Sequence, residues 1–330
     1  METTRSGAAV APEQLRLFEF GLDLEVLRME RGALRARRWS ENTRAAYASD
    51  WRGFAAWCDE AGKLALPATA DTLGLHLVSM MRAGRLPATI GRRATAVASH
   101  HLVAGYASPL TADVREVLSG IGRKLGTEQR HAKAALSVED LRLMLPACGD
   151  GARGARDRAV LLLGFASGLR RSELAGLDLA DAGRRPEGLL LRISRSKTDQ
   201  SGVGRALGVF RGHHRSTCPV RAFDAWVEER GEWAGPLFPR LTTPGDAVTH
   251  KRMSGDAVGV VVQSAARRAG LDPSKYGGHS LRAGCATAAA AAGASDLAIM
   301  ARTGHKSLAM VGRYVRPASV FALDALAGVL

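Results

Sequence analysis

Aromatic residues are scarce, at 5% of 330 positions. The cores must therefore be mostly aliphatic, and each buried ring is a packing choice. Cysteine is scarcer. Cys58, Cys148, Cys218 and Cys285 lie far apart with no CxxC pair, which argues against a disulfide framework or a zinc ribbon. Reduced thiols in a cytosolic protein are expected. No run reaches the roughly 18 apolar residues of a spanning helix, and Met1 to Pro12 lacks the apolar stretch of a secretion signal. His100-His101 and His213-His214 have no carboxylate or cysteine at ligand spacing, so neither a metal site nor a cofactor is expected. Gly202 to Gly212 has no GK[ST] ending and no following helix, which excludes a P-loop. Acids are also in deficit: 32 Asp and Glu stand against 46 Lys and Arg, a net charge of +14. That excess calls for a polyanion, and nucleic acid rather than a membrane is the expected partner.

What is present is enough apolar matter, 46% of residues, for two ordinary domains. Residues 1–12 read as a flexible tail. Residues 13–125 read as an all-helical domain. Leu24 to Leu34 has helical spacing. A second helix starts at Ser40-Glu41-Asn42-Thr43 and carries Tyr47, Trp51, Phe54 and Trp57 to Gly62. Further helices start near Thr69-Ala70-Asp71, at Pro87 and at Thr111. Residues 126–135, polar and non-periodic, read as a linker. The second domain, 136–330, opens with Ser137 as the cap of a helix holding Leu141 and Leu145. An apolar helix over Asp157–Phe165 ends at Ser167-Gly168. Leu189–Ile193 and Arg205–Phe210 read as strands joined by a hairpin-like loop, Ser194–Gly204. Everything after Pro219 reads as helical: 219–230, 253–269, 279–292, 295–302, 306–315 and a terminal apolar helix near 319–329. The alanines of Ala286–Ala292 are expected to pack tightly. The fold class is thus mainly α with a small antiparallel β element.

Four sequence features carry chemistry. Arg170 follows an expected cap glycine, Gly168, with Glu173 on the same helical face to orient it. His279 and Arg282 stand three apart at a helix start after Gly277-Gly278, where the helix dipole attracts phosphate and a glycine admits a close backbone. His305 comes 23 residues after Arg282, and Tyr314 nine after His305. Lys197 sits in the hairpin loop, where an ammonium can reach a leaving oxygen. Singly, each has an ordinary reading: a surface ion pair, a capping histidine, a core tyrosine, a solvated lysine. Together they supply arginines that grip phosphate bidentately, groups that move protons, and a hydroxyl nucleophile.

In this order the residues resemble the tyrosine recombinases of the phage-integrase family, with their Arg-x-x-Glu box, hairpin lysine, His-x-x-Arg, Gly-His and a tyrosine about nine residues later. The stretch Ser40–Thr43, the helix with Ala55-Ala56-Trp57-Cys58 and the segment Arg130–Leu136 resemble the core-binding domain and linker of Cre-like members. Where the Cre pattern has tryptophan, this chain has His305. The resemblance implies a SAM-like helical core-binding domain and a catalytic domain that clamp duplex DNA. It implies that Tyr314 forms a 3′-phosphotyrosyl bond, that Arg170, Arg282 and His305 hold the scissile phosphate, and that Lys197 protonates the 5′ oxygen. His279 would assist at the tyrosine, and Glu173 would orient its neighbours. No cofactor is implied. The expected partners are double-stranded DNA sites and three further copies of the chain in a tetramer, in the bacterial cytoplasm at the nucleoid. Arg44, Arg92 and Arg93 are candidate DNA contacts in the helical domain. The short region before residue 40 shows no arm-binding domain, which leans toward a simple Cre-like system without an accessory protein. Competing readings are a monomeric type IB topoisomerase or telomere resolvase, and a catalytically silent DNA-binding accessory protein.

Overall fold

The computed structural model describes residues 25–27, 29–30, 39–126, 133–194, 204–244, 246–305, 307–308 and 310–312. The chain forms two compact units, 1–130 and 131–330.

In the first unit four helices enclose one core: α1 (Glu41–Glu60), α2 (Ala70–Arg82), α3 (Pro87–Val103) and α4 (Ala112–Leu125). Their starts follow from side-chain chemistry. Ser40, Thr69 and Thr111 each accept a hydrogen bond from the backbone N–H three residues on, and Pro87 opens α3 with a preset φ. Of the aromatic stripe on α1, Phe54 is fully buried, and Trp51 and Trp57 pack beside it against Leu73, Leu77, Ile90, Val97, Val114 and Ile121. Asp50 is buried on the same helix. Its carboxylate accepts from Arg92 Nε (2.7 Å) and Arg93 Nε (3.1 Å), which locks α1 to α3. Residues 25–27 and 29–30 are helical; the remainder of the helix expected over 24–34 lies outside the described residues.

The second unit is built around α6 (Gly151–Ser167), an apolar helix whose middle turns are buried on every side. Before it comes α5 (Val138–Met144), capped by Ser137. After it come α7 (Arg171–Gly176) and the antiparallel strands β1 (Ala182–Arg185), β2 (Gly188–Ile193) and β3 (Arg205–Phe210), in the order β1-β2-β3. Register runs from Gly188 opposite Phe210 to Ile193 opposite Arg205. The chain continues through α8 (Pro219–Arg230), the hairpin β4 (Pro239–Leu241) and β5 (Val248–Arg252), then α9 (Gly255–Arg268), α10 (Gly278–Ala291) and α11 (Asp296–Thr303). Helices α8, α9 and α10 pack on α6 over a core with Leu161, Leu163, Phe223, Trp226, Phe238, Val262 and Leu281. Gly284 lets α10 approach closely, since a Cβ there would lie 2.2 Å from the Leu136 carbonyl oxygen. Residues 134 and 136 are already fastened to this unit, by Ala134 N to Lys275 O (2.8 Å) and Leu136 N to Ser280 O (3.0 Å). Among the described residues no helix is long and apolar enough to cross a membrane.

The architecture is mainly helical with small antiparallel sheets, as expected, but three details differ. β1 joins the expected hairpin: its AGRR sequence has no apolar alternation, and pairing with β2 defines it. The chain after Pro219 is not wholly helical. Residues 239–252 form a hairpin, closed where Thr242 N donates to Ala247 O and Ala247 N to Thr242 Oγ1, around Pro244 and the left-handed Asp246. The alanine run is tight only at its start: Ala286 is buried, Ala289 and Ala290 half-buried, and Ala291 and Ala292 exposed. The expected terminal helix near 319–329 lies outside the described residues. So does most of the one expected over 306–315, of which 308 and 310–312 are helical.

Candidate active site

Three helix ends meet at one place in the second unit. Helix α6 ends at Gly168, whose φ of 62° places it in the left-handed region. A Cβ on Gly168 would approach Cys285 Sγ to 3.1 Å and Thr303 Cγ2 to 3.2 Å, so the reversal that projects Arg170 needs glycine twice over. Helix α11 ends at Gly304, also left-handed with φ 68°, and turns out His305. Helix α10 begins beside them, its first turn closed by Gly277 N donating to Ser280 Oγ (3.1 Å).

Arginines bind the carbonyl ends of these helices, where the dipole is negative. Arg302 Nη1 donates to Ala166 O (2.6 Å) at the end of α6. Arg282 is buried, at 2% exposure, and Nη1 donates to Gly168 O (2.9 Å) and to Thr303 O. Arg205 Nη1 donates to Ala301 O (3.0 Å) and Arg302 O (2.8 Å). Arg252 does the same for α7, reaching the carbonyls of Ala175, Gly176 and Leu177.

Glu173 lies at the centre with its side chain 2% exposed. Its Oε1 accepts from Arg170 Nη1 (2.5 Å) and its Oε2 from the Arg170 backbone N–H (3.0 Å). Arg170 Nη2 donates to Gly304 O (3.3 Å), and its side chain keeps 19% exposure. On the other side of the carboxylate, Arg205 Nη2 stands 3.6 Å from Oε2. His305 is buried. Its Nδ1 lies 2.8 Å from Thr303 Oγ1, and that hydroxyl lies 2.6 Å from Ile299 O. A carbonyl cannot donate, so the hydroxyl gives its one proton to Ile299 and accepts from Nδ1–H. The ring is thereby held in the Nδ1–H tautomer. Burial, then Arg282, Arg170 and His279, depress the His305 pKa to about 4. His279 keeps an exposed edge, yet protein crowds the rest of its ring. This desolvation, then the charges of Arg282, Arg170 and Arg171, lower its pKa too. The site therefore collects positive charge from three arginines, with Glu173 against them and both histidines favoured neutral.

The structure thus brings together Arg170, Glu173, His279, Arg282 and His305. Lys197 and Tyr314 lie outside the described residues. The paired ends of β2 and β3, Ile193 and Arg205, flank the loop that contains Lys197. Val311, three residues before Tyr314, is buried against Ala286 and Ile299. Arg44, Arg92 and Arg93 belong to the other unit; Arg44 is exposed on α1, whereas Arg92 and Arg93 both bond Asp50. Sequence reasoning missed Arg205 and Thr303. Arg205 carries no local motif, because its carbonyl partners lie 96 and 97 residues away in sequence and Glu173 lies on a different element. Thr303 could have been read from its position two residues before His305 at a helix end.

The sequence profile of the phage integrase family matches residues 135–319. The chain belongs to that family. This phage-integrase family member is 34% identical over 307 residues to the integrase/recombinase xerD homolog of Selenomonas ruminantium, a match covering 90% of this chain and 89% of the relative. It is 26% identical over 298 residues to the recombinase cre of Escherichia phage P1, covering 84% of each chain. Its fold matches that of the Tn1549 transposon integrase in complex with transposon right-end DNA, at a TM-score of 0.61 and 17% identity, over 91% of this chain and 98% of that one. As a family member it is a tyrosine recombinase. Its likeness to the xerD homolog exceeds its likeness to Cre.

Proposed function

We propose that the protein is a site-specific recombinase that cuts and rejoins duplex DNA through a 3′-phosphotyrosyl intermediate on Tyr314. The observation that carries this reading is the convergence of Arg170, Arg282 and His305 on the junction of three helix ends, with the buried Glu173 holding the first arginine. A phosphodiester oxygen placed there meets cationic donors already gathered around it as charge develops in the pentavalent transition state. Tyr314 Oη attacks phosphorus and the P–O5′ bond breaks. Lys197 gives its proton to the departing O5′, and His279 takes the tyrosine proton. For His305 to donate to a non-bridging oxygen, Nε2 must gain a proton, and the phosphate anion supplies the charge that raises its pKa. The 5′ hydroxyl of the partner strand reverses the step, so phosphodiester bond energy is retained.

Both units contact the duplex, four copies act on two sites, and the protein works in the bacterial cytoplasm. The net charge of +14 supports a largely electrostatic hold on the backbone that weakens steeply with salt. In the helical unit Arg44 and the half-exposed Arg92 remain the better candidates for phosphate contact, since Arg93 is turned onto Asp50 and His76.

The test is covalent trapping. Nicked duplexes from the neighbourhood of the coding sequence are incubated with protein in EDTA and run on a denaturing gel beside Tyr314→Phe. An adduct that forms without metal and is absent in the variant supports the reading. DNA binding with no adduct on any duplex points instead to a silent accessory binder. Relaxation of supercoiled DNA by the monomer, with no second site, points to a topoisomerase.

A further inference from the structure

Arg205 stands out because an incompletely bonded guanidinium lies beside a buried carboxylate. Nη1 is satisfied by two carbonyls, but among the described residues Nη2, like Arg230 Nη2, is buried with no hydrogen-bond partner. Such an orphan donor is costly, and natural proteins keep few of them. The guanidinium lies flat on Gly304, where a Cβ would come within 3.2 Å of Cζ, so the backbone of the His305 turn is shaped to admit it. Nearest to Nη2 as a charge partner is Glu173 Oε2, at 3.6 Å. Glu173 is meanwhile held by Arg170 at 2.5 Å.

This geometry sets a conflict. Arg170 gives Nη1 to Glu173 and Nη2 to the Gly304 carbonyl, so a phosphate drawn onto Nη1 would loosen the Glu173 bond. A carboxylate released in a buried site without a counter-charge would be strongly disfavoured. From Arg205 Nη2, a shift of about 0.7 Å would bring Glu173 to ordinary hydrogen-bond distance.

We propose that Arg205 is a positioning residue that takes over the Glu173 carboxylate when Arg170 engages the scissile phosphate. The carboxylate passes between two arginines: in free protein it rests on Arg170, and with phosphate bound it closes onto Arg205 Nη2 and satisfies the orphan donor. Arg205 need not touch DNA. It removes the competition that would otherwise hold Arg170 back. The proposal rests on the phosphotransfer reading of the site.

The experiment is single-turnover cleavage of a nicked duplex by the full chain, with DNA affinity measured alongside. The variants are Arg205→Met, Arg205→Lys, Glu173→Gln and the double variant Arg205→Met/Glu173→Gln. Arg205→Met should slow cleavage on the order of tenfold to a hundredfold, because a misplaced Arg170 acts directly on the barrier. DNA affinity should stay within twofold. Adding Glu173→Gln should recover part of that rate, since it removes the carboxylate left without a partner. Losses that multiply, or an affinity that falls with the rate, would overturn the proposal. If Arg205→Met does not fold, Arg205→Lys decides: it keeps the charge without the fork, and should cleave at more than a tenth of the wild-type rate. A loss to the Tyr314→Phe background would show a role in shape rather than charge, and the proposal would fail. Absence of any adduct with wild-type protein refutes the phosphotransfer reading itself, whereas wild-type cleavage without rescue refutes only the hand-off.

Discussion

Buried carboxylates lie between pairs of arginines in both units, Asp50 in the helical one and Asp157 and Glu173 in the other, and Asp50 and Glu173 differ in how completely they are satisfied. In the helical unit Asp50 takes direct bonds from both Arg92 (2.7 Å) and Arg93 (3.1 Å). In the second unit, among the described residues, Glu173 takes direct bonds from Arg170 only, and Arg205 waits at 3.6 Å with an orphan Nη2. The first triad is saturated and joins two helices. Burial alone would raise the Asp50 pKa, but the hydrogen bonds and charges of the two arginines prevail and lower it. The second triad is left one bond short beside an arginine that still faces solvent. The same three charged groups thus make a rivet in one place and a device that can rearrange in the other. Unfinished bonding, rather than residue type, separates the two.

The comparison breaks first at Asp50. Asp50→Ala leaves a largely buried Arg93 without its partner, and removing one member of a buried pair typically costs about 3–5 kcal/mol. Thermal and denaturant melts should show the helical unit unfolding early. If stability changes by less than about 1 kcal/mol, Asp50 is not the rivet described. Arg170→Ala should do the opposite. Glu173 still has Arg205 beside it, so the melt should move little, while cleavage falls by about 10²–10³, the usual loss for one preorganised donor. A large drop in melting temperature with cleavage nearly intact would reverse the two assignments.

How much of this could be read from the chain depends on where partners lie in sequence. Local rules worked where the partner is a neighbour: Ser40 and Ser137 cap helices through bonds three residues away, and Glu173 meets Arg170 within one turn. The proposed catalytic string could be read because order and spacing survive in one dimension, and the structure gathers five of its seven residues. Asp50 was open to the same reasoning. It falls between Tyr47 and Phe54 on the apolar face of α1, and a charge on such a face needs a partner. Its partners lie 42 and 43 residues on, and they were the very arginines taken for DNA contacts. Arg205 was illegible for the same reason, being joined to carbonyls 96 and 97 residues away. β4 and β5 were missed because PRL and VTHKR carry too little alternation to signal a strand without each other.

A histidine accompanies each triad, and acid should separate the two units further. His76 is buried against Phe54 and Trp57, and burial, then Arg93, lower its pKa from 6.5 to about 4. Below pH 6.5 the unfolded chain binds a proton that the folded chain refuses. Stability is therefore lost as pH falls from 6.5 toward 4 and is unaffected by this group above 6.5. The full loss is at most about 3 kcal/mol. In His76→Phe the acid limb of a stability–pH curve should flatten; an unchanged limb would assign the loss to other groups.

His305 also sits at about 4, but for a different purpose. His76 has no anion to answer, whereas His305 shares its site with the place proposed for a phosphate. One negative charge within ~4–6 Å favours an imidazolium by about 1–3 pKa units. Histidine NMR titration of the Tyr314→Phe protein, free and on uncleaved duplex, should show His305 moving up by at least about one unit while His76 stays still. Thr303→Val should blunt that movement, because the hydroxyl that accepts from Nδ1–H is gone, and Thr303→Ser should restore it. Equal behaviour of the two histidines on DNA would mean that no phosphate reaches Arg170 and Arg282. The catalytic triad would then be a second rivet, like the one in the helical unit.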